Sequence, residues 1–387
     1  MSVAQGLCPE SGLSVGIAGA GVLGRLLAWH LSRAGHAVTV FDPAPGPEAP
    51  LTGRLDPPQR AHAAGFTAAG MLSPLAELDQ AEPEVAMLGW RSLGLWKQVA
   101  QALGGCRGHG KFFRQAGSLL LAHGPDGGAA RRVLARLERA SHVLTGLPAP
   151  QLLDPATLAG LEPGLLPDLC AWLLPQEGQL MPREMLEALT LQARDVTWRW
   201  STPVSDVALG LIRRQGASTP DRFDLVFDVR GLGAKPDLPL RGVRGEVVWL
   251  YAPAASLSRP VRLMHPRHRV YLVPRPGHLF VVGASEVESE DRSPVSLKTA
   301  VELMAAAQSV LPSLAEARIV HMEANLRPAL PDNGPLLQVE PGRVRINGLF
   351  RHGWLLAPAL VNDALHQLGL CPLTFNADVC EDHAPTH

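Results

Sequence analysis

A glycine-rich turn near the start of the chain has residue types and spacing suited to binding a dinucleotide. Gly19, Gly21 and Gly24 form a GxGxxG pattern between an apolar run and a helical repeat of leucines. The first glycine allows a tight turn, the second allows close approach of a pyrophosphate, and the third allows the helix to pack on the strand. Asp42 ends the next apolar run, where a carboxylate can accept hydrogen bonds from ribose hydroxyls. The alternative is a glycine turn without a ligand, but the combination of strand, helix and terminal acid favours a dinucleotide.

A second stretch with unusual chemistry is NGLFRHGWLLAP, residues 347–358, in which Arg351 and His352 stand where an apolar run begins. One interpretation is a solvated loop before an ordinary core helix. The other is a helix N-terminus near Gly353 that faces an anionic or electron-rich ligand, because the first N–H groups of a helix have no partner within it. The stretch alone does not separate the two.

Both motifs need strands and helices to position them. Residues 14–42 predict strand, glycine turn, helix and strand, with Leu23, Leu27 and Leu31 at helical spacing and Gly35 at the C-cap. Later apolar runs predict neighbouring antiparallel strands. These runs are residues 244–251, 269–275 and 278–285. The order β-α-β, then a β-rich region, then a return to β-α predicts two interleaved domains.

Composition excludes several classes of protein. The chain has 387 residues, a net charge of -1 and 46% hydrophobic residues, so it has material for a sizeable core and lacks the basic excess typical of nucleic-acid binding. We find no signal-peptide pattern and no apolar run that could span a membrane. The five cysteines are scattered and form no CxxC pair, which argues against a disulfide framework or a zinc site. We therefore expect a cytoplasmic protein without a metal.

Six segments resemble, in the same order, the D-amino-acid oxidase family of FAD enzymes, and most closely the glycine oxidases of thiamine biosynthesis. Together they span nearly the whole chain. The segments are GAGVLG (19–24), AAGML (68–72), RGEV (244–247), VYLVPR with VVGAS (270–285), LRPALPDNGP (326–335) and LFRHGWLLAPA (349–359).

The resemblance implies a mixed α/β (α+β) fold. A Rossmann-like FAD-binding domain would be interleaved with a substrate domain that contains a mixed or antiparallel β-sheet. We predict the FAD-binding domain from residues 13–75, 181–240 and 325–370, the substrate domain from 76–180 and 241–324, and flexible termini at 1–12 and 371–387. No His or Cys is placed like the covalent attachment sites of related amine oxidases, so we expect non-covalent FAD.

The resemblance also implies site residues. Arg327, in the LRP segment, would bind the substrate carboxylate; its alternative role is to cap strand carbonyls. Tyr271 would present its hydroxyl to the same carboxylate, or be a core aromatic. Arg351 would lie near the substrate mouth, and backbone N–H groups at the start of the late helix would face the flavin. The predicted cofactor-binding residues are Gly19, Gly21, Val22, Leu23, Gly24, Asp42, Ala69, Gly70, Met71, Val204, Arg351, His352, Gly353, Trp354 and Leu355. No family role matches His352, which we otherwise expect in a solvated loop.

The function implied is oxidation of glycine by dioxygen to iminoglycine for thiazole synthesis. Alternatives are a sarcosine or D-amino-acid oxidase or dehydrogenase, and a flavoprotein associated with RNA modification, for which the chain shows no basic face. We expect a small amino acid as substrate and no nucleic acid or membrane partner. The sequence leaves the oligomeric state open, with a homo-oligomer among the alternatives. Three departures from the family concern the long loop 43–65, the residues Asp228 and Arg230, which either pair or bring Arg230 towards FAD, and Glu286, where an apolar side chain is usual.

Overall fold

The computed structural model describes residues 12–49, 62–79, 81–108, 112–144, 146–235, 237–264 and 269–373. Residues 50–61 of the predicted loop, together with residues 1–11 and 374–387 of the predicted flexible termini, lie outside the described residues. In the described ranges, no helix combines the length and the apolar character needed to cross a membrane.

The helices and strands are numbered in chain order. The helices are α1 Val22–Arg33, α2 Pro74–Glu77, α3 Pro83–Gly108, α4 Gly127–Val143, α5 Pro155–Leu161, α6 Pro182–Leu191, α7 Leu297–Gln308 and α8 Gly353–Gln367. The strands are β1 Ser14–Ala18, β2 Ala37–Phe41, β3 Met71–Leu72, β4 Phe113–Arg114, β5 Ser118–Ala122, β6 Gln151–Leu153, β7 Cys170–Leu174, β8 Gly178–Leu180, β9 Thr197–Arg199, β10 Val204–Ala208, β11 Leu211–Arg214, β12 Asp221–Arg222, β13 Leu225–Asp228, β14 Arg241–Tyr251, β15 Val261–Met264, β16 Arg269–Arg275, β17 Leu279–Gly283, β18 Arg318–Ala329, β19 Leu336–Glu340 and β20 Arg343–Asn347.

A six-stranded sheet carries the glycine turn. Its order is β19-β20-β13-β1-β2-β9, and neighbouring strands are parallel except β19, which runs antiparallel to β20. The leucines of α1 pack with side chains of α3, α6 and α8 in one large apolar cluster against this sheet. The predicted strand–turn–helix–strand order over residues 14–42 is confirmed, as is the α/β fold with a Rossmann-like unit.

The second large sheet has eight strands in the order β18-β14-β17-β16-β15-β5-β7-β6. Its pairs are antiparallel except β15 with β5, so the sheet is mixed, as predicted. The three predicted antiparallel strands are β14, β16 and β17, and they are neighbours. β18 belongs to this sheet and runs past the predicted domain boundary between residues 324 and 325, while the division into domains stays a prediction.

The alternation of side chains along β14 and β16 decides what faces the site. Successive residues of a strand point to opposite faces of its sheet. Val248 packs with the helix α7 in one apolar cluster, whereas Val247 packs with Ala69 in another. In β16, Leu272 belongs to the α7 cluster and Tyr271 packs against the Ala69 cluster. Tyr271 therefore lies on the face that meets the predicted flavin-contacting turn.

The cysteines depart from expectation. Cys371 is disulfide-bonded, whereas the scattered spacing predicts no disulfide framework. Cys170 is a free thiol. The expectation was wrong at Cys371 because pairing depends on which cysteines the fold brings within bonding distance, and sequence spacing does not give that distance.

Candidate active site

A cavity of about 1210 Å³ lies between the glycine turn and the face of the eight-stranded sheet that carries Tyr271. Every residue predicted to bind cofactor or substrate lines this cavity except Gly24. Ligand pockets for one small molecule typically measure about 300–1,000 Å³, so the space suits a dinucleotide together with a small substrate.

The glycine turn has the three geometries that its sequence pattern requires. Gly19 has φ +108°, and a Cβ there would lie 2.6 Å from the carbonyl oxygen of Val229. A Cβ on Gly24 would lie 1.8 Å from the carbonyl oxygen of Gly19, so this glycine serves helix packing and not the cavity wall. A Cβ on Gly21 would meet only Ala63, at 3.6 Å, which leaves its backbone open to the cavity. The free N–H groups at the start of α1 therefore face space where a pyrophosphate fits.

Asp42 stands at the carboxyl end of β2, on the cavity wall. One carboxylate oxygen accepts a 2.6 Å hydrogen bond from the N–H of Ala20, and the other accepts a 2.8 Å bond from Ala44. Each carboxylate oxygen can accept a further hydrogen bond. The glycine turn thus fixes the carboxylate in place while leaving it capacity for ribose hydroxyls.

The Ala69–Gly70–Met71 turn forms another part of the wall. Gly70 has φ +65°, and a Cβ there would lie 2.6 Å from the carbonyl oxygen of Leu180. The buried guanidinium of Arg275 donates to the carbonyl of Ala69 and supports the turn. Burial lowers the pKa of Arg275 to about 10. Small residues held this firmly suit the close approach of a flat ring, which fits the predicted flavin contact.

The NGLFRHGWLLAP stretch ends in a helix N-terminus on the cavity wall. The helix α8 begins at Gly353, and its N-cap makes no side-chain hydrogen bond to the first turn. A Cβ on Gly353 would meet nothing within 4 Å. Trp354 anchors the turn, because its indole N–H donates to Gly65 at 3.0 Å and its carbonyl accepts from Trp96 at 2.6 Å. The helix-terminus interpretation fits this geometry, and the solvated-loop interpretation is wrong.

Arg327 places its guanidinium on the cavity wall with two bonds already made. Its Nη1 donates to the carbonyl of Arg244 at 3.3 Å, and its Nη2 donates to the carbonyl of Ser285 at 3.0 Å. Arg327 therefore does bind strand carbonyls, as its alternative role requires. A guanidinium has five N–H donors, so further donors remain for a ligand. None of the ion pairs among the described residues involves Arg327, so its charge is available to an anionic ligand.

Gly245 makes room for that guanidinium. A Cβ at this position would lie 2.3 Å from Nη2 of Arg327. Tyr271 lies nearby, and the Arg327 charge partly offsets the effect of burial, which raises the pKa of the tyrosine. Its hydroxyl therefore stays protonated and can donate a hydrogen bond. An arginine and a phenol side by side are donors suited to one carboxylate.

Glu77 is a residue of the candidate site that sequence reasoning missed. Its buried carboxylate accepts from Arg262 at 2.9 Å, from Arg351 at 2.8 Å, and lies 3.0 Å from Nε2 of His352. Burial alone would raise the pKa of Glu77, but Arg262, His352 and Arg351 hold it well below its usual range. The available signal was its position as the lone charged residue of the segment 66–78.

This contact corrects the expectation for His352. His352 is 5% exposed and is not part of a solvated loop, because its ring lies against the buried carboxylate of Glu77. Its Nδ1 is buried without a hydrogen-bond partner among the described residues. Arg351 lines the cavity, but Glu77 holds it on one side and Glu286 approaches it at 3.5 Å on the other. Its positive charge is thus largely matched within the protein.

A second buried carboxylate lies behind this cluster. Glu177 accepts a 3.1 Å hydrogen bond from the N–H of Ala76 and also bonds the hydroxyl of Ser118. Burial raises its pKa to about 7, with Arg262 and these hydrogen bonds opposing the rise. It is not part of the cavity wall.

Arg230 pairs with Asp228, which was one of two predicted arrangements. Its Nε and Nη2 lie 2.8 Å from the two oxygens of Asp228, and its Nη2 also contacts Asp237 at 2.6 Å. Arg230 and its neighbours Val229 and Gly231 line the cavity, as does Val204. No described group of His, Cys, Asp and Glu side chains is arranged to hold a metal ion.

Comparisons with known proteins agree with this arrangement. The FAD dependent oxidoreductase family (DAO) matches residues 14–361. The chain is 37% identical over 352 residues to a protein of Rhizobium etli named as the thiamine biosynthesis oxidoreductase ThiO, covering 90% of this chain and 94% of that protein.

Two solved structures share the fold. An iminodiacetate oxidase from Chelativorans sp. BNC1 superimposes with a TM-score of 0.76 at 23% identity, covering 92% of this chain and 96% of that one. A glycine oxidase from Geobacillus kaustophilus superimposes with a TM-score of 0.75 at 23% identity, covering 92% and 94%.

Proposed function

This chain belongs to the FAD-dependent oxidoreductase family, and we propose that it oxidises the amine of a small amino acid, with glycine as its preferred substrate. Dioxygen would accept the electrons and be reduced to hydrogen peroxide, and any imine that is not consumed would hydrolyse to glyoxylate and ammonia. The similarity to a protein named for thiamine biosynthesis supports a role in supplying this imine to thiazole synthesis.

One observation carries the proposal. The guanidinium of Arg327 lies on the cavity wall beside the phenol of Tyr271, and no carboxylate of the described residues pairs with it. A guanidinium kept in a site of low polarity binds a carboxylate through two parallel hydrogen bonds, which fixes the direction of the ligand as well as its position. An amino acid held in this way has its amine and Cα turned away from Arg327.

The protein's contribution is therefore positioning and charge. Bound FAD would supply the redox chemistry, which is the removal of two electrons from the amine and their transfer to dioxygen. Arg327 and Tyr271 hold the carboxylate, so the Cα–H bond keeps one orientation. The N–H groups at Gly353, Trp354 and Leu355 offer a favourable environment for negative charge at the edge of the cavity. The closed cluster around Glu77 keeps Arg351 fixed at the mouth.

The test is anaerobic addition of glycine to the FAD-loaded protein, followed by the flavin absorbance. We expect bleaching by glycine that reverses in air with release of peroxide. Arg327→Ala should lower kcat/KM for glycine by about 100- to 1,000-fold, the value of two charge-assisted hydrogen bonds. Arg318→Ala is a matched control, because Arg318 lies on the same strand with a side chain that is 72% exposed.

Sarcosine and D-alanine are tested in parallel. If one of these amines bleaches the flavin and glycine does not, that amine replaces glycine as the proposed substrate. Full activity of Arg327→Ala would reject the carboxylate clamp, since its guanidinium is the cation that the proposal needs.

A further inference from the structure

A buried ion pair lies directly beneath Arg327, on the opposite face of β14. Arg244 and Glu246 are 5% and 1% exposed. The Nη2 of Arg244 lies 2.7 Å from Oε1 of Glu246, and its Nε lies 3.1 Å from the same oxygen. The residue between them is Gly245, over which the guanidinium of Arg327 lies. The buried pair and the guanidinium of Arg327 are therefore separated by the backbone of β14 alone.

The pair holds the segment that follows β17. Arg244 donates to the carbonyls of Asp291 and Pro294, each at 2.7 Å. Glu246 accepts from the N–H of Ser296 at 2.9 Å. These bonds fix both ends of the stretch 291–296 against the sheet, where Arg244, Glu246 and the ends of this stretch line a further part of the same cavity.

Ser285 connects this pair to the guanidinium. Its hydroxyl donates to Oε2 of Glu246 and accepts from the N–H of Glu246, both at 3.0 Å. Its own N–H donates to the carbonyl of Glu246 at 3.2 Å. Three hydrogen bonds to one residue thus fix Ser285, whose carbonyl accepts the bond from Nη2 of Arg327.

The second acceptor of Arg327 is fixed by backbone hydrogen bonds with Val287. The carbonyl of Arg244 accepts from Nη1 of Arg327 and from the N–H of Val287 at 3.0 Å. The N–H of Arg244 donates back to Val287 at 2.8 Å. One carbonyl that orients the guanidinium thus belongs to Arg244 itself, and the other belongs to Ser285, which Glu246 holds.

We propose that Arg244 and Glu246 are positioning residues that aim Arg327 at the substrate carboxylate through Ser285 and the backbone of β14. The inference rests on the proposed function, because it assigns a role to the carboxylate clamp. Bidentate recognition depends on the plane of the guanidinium, so a small rotation loses one of two hydrogen bonds. Misplacement of a binding group by about 1 Å costs up to about 100-fold in rate.

Two variants of the FAD-loaded full chain test this. Ser285→Ala removes the hydroxyl bonds and leaves Arg244 and Glu246 paired. Glu246→Gln breaks the pair itself. Glu162→Gln is the matched control, because Glu162 is a buried carboxylate paired with Arg259 at 2.9 Å and does not line the cavity.

The measurements are the Kd of acetate, read from the absorbance of bound flavin, and kcat and KM for glycine. Acetate carries the carboxylate without the amine, so its Kd reports the clamp alone. We expect a Kd about tenfold higher in Ser285→Ala and Glu246→Gln, a matching rise in KM, and an unchanged Kd in Glu162→Gln. If Glu246→Gln does not fold, Ser285→Ala decides alone.

The two hypotheses fail in different ways. If Arg327→Ala binds acetate as the wild type does, the clamp itself is absent and the proposed function fails. If Arg327→Ala loses acetate binding while Ser285→Ala keeps the wild-type Kd, the clamp stands and the positioning role is overturned. An equal loss in Glu162→Gln would also overturn it, because the effect would then follow from general destabilisation.

Discussion

Replacing Glu177 by glutamine should stabilise the protein above pH 7 and weaken the dependence of its stability on pH. The side chain is fully buried, with Ala76 and Ser118 as hydrogen-bond donors. Burial raises its pKa from 4.5 to about 7, although Arg262 and the hydrogen bonds oppose the rise. Glutamine has a similar shape, stays neutral, and can still accept from Ala76 and donate to Ser118.

The direction of the pH effect on stability depends on whether the folded or the unfolded state binds the proton of Glu177 more tightly. The folded protein has the higher pKa, so between 4.5 and about 7 it binds a proton that the unfolded chain has lost. The stability that this proton confers is complete below the unfolded pKa and is lost as the pH rises through the folded pKa. A tenfold change in proton affinity is worth about 1.4 kcal/mol, so the whole effect is about 3 kcal/mol. About 2 kcal/mol of it falls between pH 5.5 and pH 8.5.

The assay is urea denaturation of the FAD-loaded protein at both pH values, followed by tryptophan fluorescence in the same excess of FAD. The quantity of interest is the free energy of unfolding of Glu177→Gln minus that of the wild type. It should increase by about 2 kcal/mol from pH 5.5 to pH 8.5, because only the wild type must bury a charge at the higher pH. Glu316→Gln is the control, since the side chain of Glu316 is 91% exposed.

A difference that stays constant across this range would refute the reasoning. It would mean that Glu177 is ionised in the folded protein at both pH values. The attraction between the Glu177 carboxylate and the nearby guanidinium of Arg262 would then outweigh the desolvation cost of burying that charge.

Three further predictions concern the glycine turn, the Glu77 cluster and the substrate phenol. Gly24→Ala should abolish FAD retention or lower stability by several kcal/mol, because its Cβ would lie 1.8 Å from a carbonyl oxygen. Gly94→Ala in α3 is the control, because its Cβ would enter open space, and it should stabilise the protein by about 0.5–1 kcal/mol. Equal effects of the two variants in thermal unfolding would contradict this prediction. Glu77→Gln should lower the free energy of unfolding by about 3 kcal/mol at pH 7, because it leaves Arg262 without its buried carboxylate; a wild-type urea curve would show that the cluster does not depend on that charge. Tyr271→Phe should raise the Kd of acetate about fivefold, the value of one hydrogen bond, and an unchanged Kd would assign Tyr271 to packing only.

Local features of this protein could be predicted from the sequence because they depend on neighbouring residues. The φ of +108° at Gly19 and the close packing at Gly24 follow from steric rules that hold for any strand–turn–helix of this spacing. The placement of Tyr271 on one face of β16 follows from the two-residue period of a strand. The helix start at Gly353 follows from an apolar repeat after a glycine, although its direction towards a cavity does not.

Contacts between distant segments were decided only by the tertiary structure. Glu77 meets Arg262 and His352, which lie 185 and 275 residues further along the chain, and nothing in the three local sequences identifies them as partners. Because of this contact, His352 is buried, whereas the sequence placed it in a solvated loop. In the same way, the sequence indicated an arginine for a carboxylate, but only the strand register placed its guanidinium over Gly245. Sequence patterns determine the conformation and exposed face of each element, whereas the partner of a buried charge depends on how the elements pack together.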